Sequence, residues 1–132
     1  MPRRRVIPIL FFAWLGNAFA LEPFDERVQL AKAAESDEQL KAYLPAMYGS
    51  VGPQLASMLR NCIDRTDGAD KSPFVMIADI SSTGAAQGVE TQPITNVGQC
   101  FARGFATISF PAPPASPKRA AYPLVIEMRI PK

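Results

Sequence analysis

Cys62 and Cys100 are the two thiols of this 132-residue chain, and the chain contains no histidine. Without imidazole, the Ser/His and Cys/His nucleophile systems lose their base, and His-ligated zinc or iron loses its ligands. A redox dithiol needs close spacing of the C-x-x-C kind, and these cysteines are far apart in sequence. What remains is a structural bridge with only one possible pairing. Closing a loop of this length constrains the unfolded chain by roughly 4 kcal/mol in the chain-entropy model. Asp64, Asp67 and Asp70 are the best remaining carboxylates. Their i, i+3, i+6 spacing lacks the i, i+2, i+4 start and closing glutamate of a calcium loop, so they read as solvated turn acids. The Gly84 and Gly88 segment lacks the denser glycines and following Lys-Ser/Thr of a phosphate cradle, and it reads as a turn. No catalytic residue, metal ligand or cofactor is expected.

The start of the chain reads as an address. Arg3, Arg4 and Arg5 precede an apolar run over residues 6–20 that ends in Ala18-Phe19-Ala20. A positive start, a short apolar middle and small residues at a cleavage point form the pattern of a secretory signal peptide. Fifteen helical residues reach only about 22 Å, short of a hydrocarbon core of about 30 Å. The expectation is cleavage after Ala20 with no membrane insertion afterwards, and a periplasmic or secreted location where a disulfide persists. The formal charge of +2 then becomes −1, eleven cations against twelve acids. A near-neutral chain carries no electrostatic footprint for nucleic acid. Lys118 and Arg119, in a proline-bearing stretch, read as solvated loop charges.

Residues 21–50 read as an extra helical segment, with Phe24, Val28 and Ala31 on one face and a capping box beginning at Ser36. The glycines around residues 48–52 read as a break, after which Pro53 starts a new helix. That helix repeats Leu55, Met58, Leu59, Cys62 and Ile63 at steps of three and four, carrying Cys62 into the core. Residues 74–80 and 89–92 read as a hairpin. Asn96 reads as the cap of a second helix with Val97, Cys100, Phe101, Gly104, Phe105 and Ile108 on one face. Proline closes it, and residues 124–130 alternate as a half-buried strand, Leu124, Ile126 and Met128 inward, Val125, Glu127 and Arg129 on the wet side. The predicted fold class is α+β: a three-stranded antiparallel sheet with two helices on one face, in the order α-β-β-α-β, preceded by the extra segment.

Residues 51–132 resemble the carboxy-terminal domain of TonB-type energy transducers and related gliding-motility proteins. The resemblance rests on the helix with Cys62, the strand and polar turn of residues 74–88, the Gln99-Cys100-Phe101 helix, the Phe110-Pro111-Ala112-Pro113 exit and the final strand through Val125, Glu127 and Arg129. A cysteine in each helix is similar to the cross-linked variant of that superfamily. The long membrane anchor and proline-rich spacer of those transducers have no counterpart here, and Gly52-Pro53 stands in place of their tyrosine-proline pair. The resemblance therefore implies an interaction module rather than a proton-driven transducer.

The functional expectation is a non-catalytic exported interaction or assembly domain. Its partner, an unidentified envelope protein, would add a strand to the sheet edge at Val125, Glu127 and Arg129. The alternatives are a stability or inhibitor factor for another exported protein and, behind it, a small hydrolase.

Overall fold

The computed structural model describes residues 22–131; the expected leader, residues 1–20, lies outside them. Six elements follow in order: α1 (Phe24–Ser36), α2 (Tyr43–Arg65), β1 (Phe74–Ser81), β2 (Ala86–Gln92), α3 (Asn96–Phe105) and β3 (Ala121–Met128). The strands form one antiparallel sheet in the order β2-β1-β3. From α2 onward the order is α-β-β-α-β, with α1 as the additional N-terminal helix.

The central strand shows why the sheet has two covered faces. β1 is nearly all apolar, the pattern of a strand buried on both sides. Phe74, Met76, Ala78 and Ile80 join Leu124 and Ile126 of β3 beneath α2 and α3, in the main core. On the other face, Ile77 and Val125 meet Ala31 of α1, with Phe24 and Val28 packed around them.

Two helices meet over the main core through small side chains. In α3, Val97, Phe101 and Phe105 are fully buried, and the ring of Phe101 lies between those of Phe74 and Phe105, both at centroid distances of 6.2 Å. Gly104 faces Met58 of α2 so closely that a methyl group there would collide with the thioether. Cys62 on α2 and Cys100 on α3 form the disulfide, with Cα atoms 5.8 Å apart.

The helix boundaries differ from the sequence reading in three places. The expected break at residues 48–52 is absent: α2 runs through both glycines and Pro53 for 23 residues. Pro and Gly weaken a helix interior, but Tyr43, Met47, Val51, Leu55 and Cys62 all bury on one face, and that burial outweighs propensity. The boundary drawn between residues 50 and 51 therefore falls inside a helix. Ser36 ends α1 instead of opening a capping box; the turn after it is organised by Asp37, whose carboxylate accepts the Gln39 N–H at 2.8 Å. Finally, Thr95 caps α3, its hydroxyl accepting the Gly98 N–H at 2.9 Å. Asn96, the expected cap, ties down the preceding loop, accepting from the Asp70 N–H and donating to the Gly68 carbonyl.

Candidate partner-binding edge

Among the described residues, β3 is paired on one side only. Its eight residues match β1 in unbroken antiparallel register from Ser81↔Ala121 to Phe74↔Met128. The strand begins earlier than expected and takes in Pro123, opposite Asp79. A proline has no N–H to give, so it fits a ladder only where its nitrogen faces away from the partner strand. Backbone groups alternate in direction along a strand, so the N–H and C=O of Val125 and Glu127 also point outward. Among the described residues, no backbone bond outside the ladder reaches these groups.

The side chains of this strand are placed differently from the expected wet face. Glu127 is exposed, with its carboxylate 3.4 Å from the Lys32 ammonium of α1, and Arg129 is exposed just past the strand end. Val125, expected beside them in solvent, is only 6% exposed. The reason is α1, which lies on that face and closes it with Ala31. Of the three residues, Glu127 and Arg129 can present side chains to a partner, while Val125 offers its backbone and anchors the strand.

The anchoring of α1 includes a residue the sequence reading passed over. Arg27 is only 5% exposed, and its guanidinium reaches Asp79 of β1 at 3.3 Å and Glu90 of β2 at 3.4 Å. The helix is thus tied to the central strand and to the far edge as well as resting on β3. Arg27 stands among Phe24, Val28 and Ala31 at helical spacing, so a charge on an apolar stripe was the available signal. Gly88 gives the guanidinium room: its φ is +57°, and a Cβ there would stand 3.1 Å from the Arg27 nitrogen.

The opposite edge, β2, is less regular. Its register with β1 shifts between Ile77 and Asp79, a bulge of the kind that discourages further pairing. The turn leading into it is held by Gly84, at φ +86°, where a side chain would strike the Phe110 carbonyl. The Gly84 amide donates to the Ser81 carbonyl, and its own carbonyl accepts from Phe110. Gly84 thus sits in a turn as expected, whereas Gly88 falls inside β2, which starts at Ala86 and not at residue 89.

Beside the first half of β3 lies a cavity of about 520 Å³ between α1 and the segment leading into the strand. Leu30, Ala33 and Ala34 form its helical wall, Pro113 and Pro114 face them, and Tyr122 and Pro123 form its floor. Tyr122 packs on Tyr43 with ring centroids 4.7 Å apart. The Tyr43 hydroxyl donates to the Pro111 carbonyl at 2.8 Å, whereas the buried Tyr122 hydroxyl has no partner among the described residues. Burial pushes both phenols up to about 12.

The remaining sequence candidates stay apart from this edge. Asp64 lies in the last turn of α2, with Asp67 and Asp70 in the loop after it. The Asp70 carboxylate accepts from the Ser72 side chain and backbone N–H, which hold it below the usual carboxylate range. Among the described residues, no group of three His, Cys, Asp or Glu side chains is placed to share a metal ion. Arg119 pairs with Glu22 at 3.1 Å, while Lys118 is exposed. None of the described helices is long and apolar enough to cross a membrane. The chain matches no protein-family model, no curated protein and no solved structure.

Proposed function

We propose that this chain is a non-catalytic exported protein-interaction or assembly domain, working in the periplasm or outside the cell, that accepts a partner's strand along the free edge of β3. The observation that carries the reading is the combination of an unbroken, one-sided β3 ladder with outward groups at Val125 and Glu127 that are unpaired among the described residues. Such a row gives affinity through main-chain hydrogen bonds and leaves selectivity to neighbouring side chains. Support comes from the resemblance to TonB-type carboxy-terminal domains, from the bridge between Cys62 and Cys100 and from the leader-like residues 1–20.

The test is site-specific photo-crosslinking in the envelope of an expressing bacterium, with the probe at exposed Arg129 and, as a control, at exposed Gln87 on β2. Adducts from position 129 and not from 87, lost when Glu127→Pro is added to a protein that retains its melting temperature, are the expected result. Equal labelling from both edges, or adducts that survive the proline, would remove β3 as the capture site.

A further inference from the structure

The cavity beside β3 specifies what kind of strand the edge would accept, an inference that rests on the edge reading above. α1 lies over β3 more than over β1, and its Arg27, Ala31 and Ala34 side bears on the sheet and core. Leu30 and Ala33, on the neighbouring side of the helix, form the cavity wall beside the floor of Tyr122 and Pro123. A fourth strand would lie about 4.8 Å beyond β3 and turn alternate side chains toward α1. Those side chains would enter the cavity, whose size falls within the range of about 300–1,000 Å³ typical of ligand clefts.

Charge narrows the choice further. Lys118, before β3, and Arg129, after it, are both exposed and make no ion pair among the described residues. The neighbouring cations are already engaged, Arg119 by Glu22 and Lys32 by Glu127. Of the acids near the cavity, Asp37 is turned to the Gln39 amide. The edge thus has free positive charge at both ends and an apolar recess between them.

We propose that the occupant is an extended segment of another exported protein, with apolar residues at alternate positions and an Asp or Glu at its ends. A second copy of this chain fits less well. Pairing two β3 strands about a two-fold axis normal to the sheet would put both α1 helices on the same face, each standing where the other overhangs the edge.

Three synthetic peptides test this against the intact, oxidised protein by calorimetry: Asp-Leu-Thr-Val-Ser-Phe-Glu, the same frame with Ser at the apolar positions, and the apolar frame with Lys at both ends. The acid-ended apolar peptide should bind at least about tenfold more tightly than either other, the size of one modest apolar or charge contact. Ala33→Trp, which plugs the recess from an exposed helix position, and Lys118→Glu should each erase that preference. Glu127→Pro should remove binding of all three. If the three peptides bind equally and all are lost with Glu127→Pro, the edge reading stands and the side-chain inference is overturned. If the acid-ended peptide binds through the recess but tolerates Glu127→Pro, backbone pairing at the edge fails instead. Absence of binding by every peptide, or a dimer in sedimentation that Glu127→Pro dissolves, also overturns the inference.

Discussion

Arg27 shows how one side chain can decide where a helix rests. Its stem crosses an apolar interface and its head meets two carboxylates, each partly open to water. Removing the head leaves Asp79 and Glu90 facing each other without a cation between them. Arg27→Ala should cost about 1.5–3 kcal/mol in urea unfolding, the range for a hydrogen bond to a charged partner, with the disulfide intact. A change under a few tenths would mean that α1 is held by apolar contact alone. The phenols supply a second test. Tyr43 and Tyr122 titrate near 12 when folded against an ordinary value of 10. The unfolded chain therefore loses these protons first as pH rises, and stability that is complete below pH 10 drains away between 10 and 12. Stability measured across that window should fall, and should fall less in Tyr122→Phe, which also removes a buried hydroxyl without a partner.

At the scale of elements, α2 carries strain in composition without strain in geometry. Gly49 is exposed, and nothing lies within 4 Å of where its Cβ would stand. Gly49→Ala should therefore stabilise the protein by about 0.5–1 kcal/mol, the helix-interior difference between the two residues; a loss of stability would show that the helix needs the glycine one turn before Pro53. The bridge between α2 and α3 acts at the same scale. Cys100→Ser should lower stability by about 2–5 kcal/mol, as for native bridges in small exported domains, measured by denaturant unfolding without reductant. An unchanged midpoint would mean that Phe101, Phe105 and the close approach at Gly104 suffice to hold the two helices.

For the whole molecule, the telling feature is the sheet's second face. Ile77 and Val125 are covered only because α1 folds back over them, so α1 belongs to the folded unit. A chain beginning at residue 40 should still form the main core around Phe74, Phe101 and Leu124, yet expose an apolar strip along β1 and β3. It should bind a hydrophobic dye and self-associate in sedimentation, as large exposed apolar patches do. A monomeric, dye-silent product would show that the second face tolerates water.

Much of this architecture was legible in local pattern. The 3.6-residue repeats around Cys62 and Phe101 and the alternation from Leu124 named two helices and one strand, because one buried face forces that spacing whatever the rest of the chain does, while the β-rich runs at residues 74–80 and 89–92, bounded by glycine and proline, named the other two strands. Two cysteines left one pairing. Tertiary structure alone decided where α1 goes, and with it that Val125 is buried while Glu127 remains in water. Alternation within a strand separates two faces but cannot say whether a distant helix covers the second. It alone also carried α2 across Gly49, Gly52 and Pro53, because the burial that offsets their helix-breaking cost comes from α3 and the sheet, contacts no local window contains.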